Sequence, residues 1–188
     1  MNNTILSDNL EMIDLISEIT PKVKEMLTPI GGHKVYHLEG NAWEHTILVM
    51  EAMQKRGLGY FGILIGLVHD IGKGRHFVVD DEGWFTYPGH APGGAEMLKE
   101  FIPESDCRYS LLEWLVRNHI KTLFLKGLKD LKKLETTVPA PWDPVVAIRL
   151  LLNLGLADLD GSFTVESERA SNEALRNKLE EYLLEYNK

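Results

Sequence analysis

Four of the chain's seven histidines stand in one ordered series with two aspartates: His45, the doublet His69-Asp70, His90, His119 and then Asp158. Imidazole nitrogens and carboxylate oxygens are the usual ligands of divalent first-row metals. Six such groups exceed what one tetrahedral site takes. They match what two adjacent ions sharing a carboxylate would use. A lone histidine on a helix is ordinarily a core or surface residue, and an isolated His-Asp pair arises often by chance. The weight here comes from context. His69-Asp70-Ile71-Gly72-Lys73 closes an apolar run, and the other histidines sit in Trp43-Glu44-His45, Gly89-His90 and Asn118-His119.

These side chains can act together only if the segments carrying them converge. Apolar residues recur at helical spacing over 6–19, and Pro21 marks a break or a new first turn before 22–27 continues as helix. Segment 29–40 reads as loop. A helix is expected over 42–55 with Asn41 as its cap, and a buried one over 60–69, with Gly57 and Gly59 between them. Residues 76–87 read as a short hairpin turning through Asp80-Asp81-Glu82-Gly83. Helices follow at about 92–101, 106–118 and 127–135. The Pro-rich 136–144 is loop, Asp143 or Pro144 opens a helix running to Leu159, and a charged last helix covers about 164–186.

Within that frame the doublet lies at a helix end. Adjacent residues in mid-helix diverge by about 100°. At a terminus followed by Gly72 the geometry relaxes, and both side chains can reach one ion. Asp70 has two oxygens and can bridge to a second ion. His45 comes close if its helix and the next form a hairpin across Gly57–Gly59, and Asp158 completes the first site. His90 and His119 are the natural ligands of the second. His33, His37 and His76 take the core-or-surface reading, with some reserve for His76.

Composition narrows the function classes. The chain has 188 residues, a formal charge of −8 and one cysteine, Cys107. We expect a single domain over 1–188: a core of about 40–160, an N-terminal helix and loop over 1–39, and a C-terminal helix over 161–188. An acidic surface argues against extended nucleic-acid binding, which needs clustered Lys and Arg. A small nucleotide held by a few local cations remains compatible. One cysteine excludes an internal disulfide. The start, Met-Asn-Asn-Thr, carries no secretory pattern, and no run is long enough to span a bilayer. The expected setting is a reducing cytoplasm without membrane association.

The motif order resembles the HD-domain superfamily of metal-dependent phosphohydrolases over roughly 40–160. His69-Asp70-Ile71-Gly72-Lys73, Asp80-Asp81-Glu82-Gly83, Tyr87-Pro88-Gly89-His90 and Gly94-Ala95-Glu96 look especially like the HD domain appended to bacterial tRNA nucleotidyltransferases. Stand-alone HD nucleotide hydrolases are also similar. The resemblance implies an all-α HD helical bundle, here with a small β-hairpin-like insertion. It implies a first metal on His45, His69, Asp70 and Asp158, and a second at His90 and His119. No nucleotidyltransferase head precedes the motif. Ala91 and Pro92 stand where those relatives usually carry an acidic residue after the histidine.

The expected activity is hydrolysis of a small phosphate ester, a nucleotide or cyclic nucleotide foremost. One or two divalent transition metals are expected, with Fe, Mn, Ni or Co foremost and Mg also a candidate. Asp70 and Lys73 are the candidate catalytic residues, and Lys73, Arg75 and His76 the candidate substrate contacts. Trp84, Phe85, Tyr87 and Trp142 are candidates to wall a pocket. Two other classes compete: a mixed-valent di-iron oxygenase of the same fold, and a non-catalytic metal-stabilised sensor or interaction module. A homodimer is left open.

Overall fold

The computed structural model describes residues 2–188 and is built almost wholly of helices. In chain order these are α1 (Asn2–Leu27), α2 (Ala42–Lys55), α3 (Gly59–Val68), α4 (His90–Met97), α5 (Tyr109–Asn118), α6 (Leu128–Glu135), α7 (Pro144–Gly161) and α8 (Arg169–Tyr186). Short 3₁₀ turns extend α3, α4 and α5 at Ile71–Gly74, Leu98–Glu100 and His119–Phe124, and one precedes α8 at Glu166–Glu168. The hairpin is small. Val78–Val79 (β1) pairs antiparallel with Phe85–Thr86 (β2) in the register Val78↔Thr86 and Val79↔Phe85. Its turn is pinned by Asp80, whose Oδ1 accepts from the backbone N–H groups of Glu82 and Trp84.

Local chemistry explains most boundaries. Asn41 and Glu44 form a reciprocal capping box at the start of α2: each side chain accepts from the other's backbone N–H. Asp143 caps α7 by accepting from Val145 and Val146, and Pro144 occupies the first turn, where no N–H is needed. Several boundaries differ from the sequence expectation. α1 runs through Pro21 without a break; the ring removes one helical hydrogen bond, and burial of Ile19, Val23 and Leu27 on the inner face holds the helix together. α4 begins at His90 rather than 92, because Gly89 adopts the left-handed conformation that turns the chain into the helix. α8 begins at Arg169, preceded by the 3₁₀ turn.

The core is aliphatic. α7 carries Leu151, Leu152, Leu154 and Leu156 wholly out of solvent, each worth about 1.5–3 kcal/mol of transfer free energy before chain entropy is set against it. α7 packs on α2 and α8, and α2 on α3. α1 packs on α3 and on the 3₁₀ turn that follows it. This layering sets the ends of α2, α3, α5 and α7 around one point. Among the described residues, no helix is long and apolar enough to cross a membrane.

Candidate metal centre

The His69-Asp70 doublet falls where α3 stops. His69 keeps helical backbone angles at the C-cap, and Asp70 leaves them at φ −111° before the chain winds into Ile71–Gly74. The turn packs backbone to backbone on α4. A Cβ at Gly72 would sit 1.9 Å from the His90 carbonyl oxygen, so only glycine allows this approach. His90 opens α4, His119 caps α5, His45 lies on the inner face of α2 and Asp158 in the last turn of α7.

Asp70 is the centre of the cluster. Its Oδ2 is 3.2 Å from His69 Nε2 and 3.7 Å from His45 Nε2, and the latter is 3.0 Å from Asp158 Oδ1. Its Oδ1 is 3.3 Å from His90 Nε2 and 3.4 Å from His119 Nε2. Lys73 Nζ lies 2.5 Å from Oδ2. All of these groups except Asp158 are buried, with Asp70 only 2% exposed.

The tautomers follow from the outer hydrogen bonds. Nδ1 of His69, His90 and His119 each lies 2.7 Å from a carbonyl oxygen, of Gly66, Tyr87 and Val116 respectively. Nδ1 of His45 lies 2.8 Å from Glu39 Oε1 and 3.3 Å from the Gly161 carbonyl. Carbonyl and carboxylate oxygens only accept, so Nδ1 carries a hydrogen in all four rings, and a ring in its neutral form points its Nε2 lone pair inward. His90 and His119 then face each other Nε2 to Nε2 at 3.2 Å, lone pair against lone pair. The Nε2 atoms of His45 and His69 and Oδ1 of Asp70 are buried without a hydrogen-bond partner. His45 Nε2 and Asp158 Oδ1 are close but outside hydrogen-bond geometry. Such facing acceptors need a cation between them. A proton meets that need partly and a divalent metal meets it fully, so the donor set fits a metal.

Electrostatics agree with that need. Burial alone would lower the pKa of His45, yet its contacts with Asp158 and Glu39 push it up to about 9. Burial raises Asp70 and Asp158, but their cationic and histidine neighbours win and hold both carboxyls below the usual range. His90 and His119 share Asp70, and burial opposes protonation of both. The balance raises His90, where the contacts with Asp70 prevail, and lowers His119, where burial prevails.

Asp70, Lys73, His90, His119 and Asp158 form the floor of a cavity of about 400 Å³, with His45 and His69 buried behind them. Its walls include Tyr36, Tyr87, Leu123, Phe124 and, from α8, Asn172 and Leu175. Of the nine sequence-predicted site residues, His45, His69, Asp70, His90, His119, Asp158 and Lys73 come together here. Arg75 and His76 do not. The Arg75 guanidinium makes a bidentate pair with Glu100 at 2.6 and 2.7 Å on the surface, which turns it away from the cavity. The His76 ring lies flush against Gly93, where an added Cβ would sit 2.1 Å from Nε2. Of the four predicted aromatics only Tyr87 reaches the cavity. Phe85 covers Gly31, Trp142 donates to Ser110, and Trp84 is partly exposed away from it.

Two residues near the metal cluster were given no site role from sequence: Glu39, which drew no notice, and His37, which took the core-or-surface reading. His37 and Glu39 sit in the loop before α2. Glu39 Oε1 is 3.0 Å from His37 Nδ1, and the His37 ring stands edge-on to His45 at 4.3 Å between centroids. Burial, then the charges of Lys73 and His45, lower the His37 pKa to about 4, which keeps the ring neutral. The phrase His37-Leu38-Glu39-Gly40, just ahead of the α2 cap, was the available signal; loops have no periodicity to flag it.

A family model described as HD domain matches residues 42–141. That is more than half of the chain, and the chain belongs to the HD-domain family. No curated protein and no solved structure matches it. The matched segment contains His45, His69, Asp70, Lys73, His90 and His119; Asp158, His37 and Glu39 come from outside it.

Proposed function

We propose that this chain is a metal-dependent phosphohydrolase acting on a small phosphate ester, a nucleotide or cyclic nucleotide foremost, with two divalent ions. The observation that carries this reading is Asp70: each of its oxygens faces a pair of histidine Nε2 atoms, beside a buried lysine. The HD-domain family consists mostly of metal-dependent hydrolases.

In this reading His45, His69, Asp70 and Asp158 would hold one ion, and Asp70, His90 and His119 the other. Such ions, when bound, supply a water of lowered pKa and offset charge on the phosphoryl oxygens. Mn, Fe, Co and Ni suit the imidazole-carboxylate set, with Mg a weaker match. The protein's own part is positioning. The four carbonyl or carboxylate contacts on Nδ1 fix the rings, the closed floor keeps bulk water away, and Lys73 donates to a non-bridging phosphoryl oxygen. The same reading takes 1–188 as one unit, since α1 and α8 pack on elements of the matched segment or on α7.

The test is metal analysis of the purified protein, followed by assay with p-nitrophenyl phosphate, bis(p-nitrophenyl) phosphate, nucleoside monophosphates and cyclic nucleotides under Mn, Co, Ni and Fe loading. Metal-dependent turnover of at least one ester is expected, lost together with the metal in His69→Ala and Asp70→Ala. A fully metallated protein inert across the panel refutes the reading. An iron-specific, oxygen-consuming reaction would replace it with an oxygenase, and a metal centre inert to both would leave a sensor or binding module.

A further inference from the structure

Lys73 is not positioned by the family core alone. We propose that His37 is a positioning residue for Lys73, locked in one tautomer by Glu39, and that Lys73 so held is the arm that binds the phosphoryl group. This rests on the phosphohydrolase reading above and deepens it.

The chain of contacts is continuous. Glu39 Oε1 accepts from Nδ1–H of His37 at 3.0 Å and of His45 at 2.8 Å, while Oε2 accepts from the Phe163 backbone at 2.9 Å. The loop, α2 and the segment after α7 are tied through one carboxylate. Because Glu39 only accepts, His37 carries its hydrogen on Nδ1, and Nε2 is left as an acceptor 3.3 Å from Lys73 Nζ. The His37 backbone sits at φ 61°, a left-handed conformation that side-chain-bearing residues seldom adopt. The loop therefore holds strain at the residue whose ring enters the cavity.

An ammonium has three donors. Lys73 directs one to Asp70 Oδ2 at 2.5 Å and one to His37, and its Nζ lies 4.7 Å from the centre of the Tyr87 ring. Asp70 Oδ2 also faces His45 and His69. A divalent ion held there competes for the same lone pairs and repels the ammonium, as like charges at this range must. His37 and Tyr87 carry no charge, so they retain Lys73 when Asp70 releases it. The freed donor is then available to an anion in the cavity. Among the described residues, His37 is the neutral hydrogen-bond acceptor that holds the lysine at the floor.

The probe is inorganic phosphate. Metal-loaded wild type, His37→Asn, His37→Gln, Lys73→Met and the double variant His37→Asn/Lys73→Met are compared by metal content and by calorimetric phosphate binding. Asparagine tolerates the left-handed backbone but is too short to reach Lys73; the glutamine carbonyl oxygen can stand where Nε2 does. Metal content stays at the wild-type level in all variants. Loss of one charge-assisted hydrogen bond weakens phosphate about tenfold in His37→Asn. His37→Gln recovers most of it, and the double variant binds no more weakly than Lys73→Met alone. Wild-type phosphate affinity in His37→Asn, additive losses in the double variant, or loss of metal from His37→Asn overturns the proposal. If wild type hydrolyses esters and binds phosphate while His37→Asn matches it, this inference falls alone. If metal-loaded wild type neither hydrolyses any ester of the panel nor binds phosphate, the phosphohydrolase reading falls with it; if it hydrolyses esters without binding phosphate, this inference falls alone.

Discussion

Gly72→Ala should separate the two halves of the centre. A Cβ at this position would lie 1.9 Å from the His90 carbonyl oxygen, 2.8 Å from the His90 carbonyl carbon and 2.6 Å from the Gly94 nitrogen. All three are backbone atoms of the first turns of α4, so no side chain can swing aside. Ordinary contact begins near 3.4 Å, so α4 and the turn must part by about 1.5 Å (3.4 − 1.9), an overpacking strain that typically costs about 1–3 kcal/mol. His90 Nε2 is 3.3 Å from Asp70 Oδ1. Opening that gap by the same amount brings it to about 4.8 Å, beyond the span of two ligands on one ion with bonds near 2.0–2.2 Å. Whether α4 or the turn moves, Asp70 and His90 part, while His45, His69 and Asp158 keep their places on α2, α3 and α7. The expected result is a folded protein with one ion per chain instead of two, read by plasma mass spectrometry. Its melting temperature should fall by about 2–4 °C per kcal/mol lost, as suits a chain of this size. Gly94→Ala is the graded control, because its Cβ meets Gly72 N at 2.9 Å and the movable Val116 Cγ1 at 3.1 Å, and it should lose less of both. A folded Gly72→Ala with two ions and wild-type melting refutes the argument.

Other outcomes follow from the same geometry. Asn41→Ala removes half of the capping box and should cost about 1 kcal/mol of stability, seen in chemical denaturation, without changing metal content. Arg75→Ala breaks only the surface pair with Glu100 and should leave ester turnover unchanged in a steady-state assay; a large loss would restore Arg75 to the site. Metal loading should release protons. With the His45 pKa raised to about 9 in the metal-free chain, the ion must displace that proton at neutral pH, so affinity rises with pH and levels off above about 9. Calorimetric titrations in buffers of different ionisation enthalpy measure the release; buffer-independent heats at pH 7.5 would contradict it.

The helices and the ligand series were legible because each leaves a local trace. Apolar spacing marked α1, Asn41 announced the start of α2 and Asp143 or Pro144 that of α7, and the doublet before Gly72 marked a helix end. What was not legible depended on partners distant in sequence. Arg75 looked free for phosphate until Glu100, on the turn after α4, took its guanidinium. His37 and Glu39 carry no periodic signal, and only the fold brings them against His45 and Lys73. Asp160, in the last turn of α7, ties the end of α2 to α8 by pairing with both Arg56 and Arg176. Pro21 was given more helix-breaking force than it has once buried residues on one face hold α1 straight through it. Tyr36 and Phe124, not the hairpin tryptophan, reach the cavity wall, since the short hairpin leaves Val78, Val79 and Trp84 facing outward.

The most direct test of the central claim is anomalous diffraction from crystals of the manganese-loaded protein. Two peaks should flank Asp70, one among His45, His69 and Asp158 and the other between His90 and His119, each contacting a different carboxylate oxygen. A single ion, ions lodged instead in the His37–Glu39–His45 group, or no peak beside Asp70 would contradict the account.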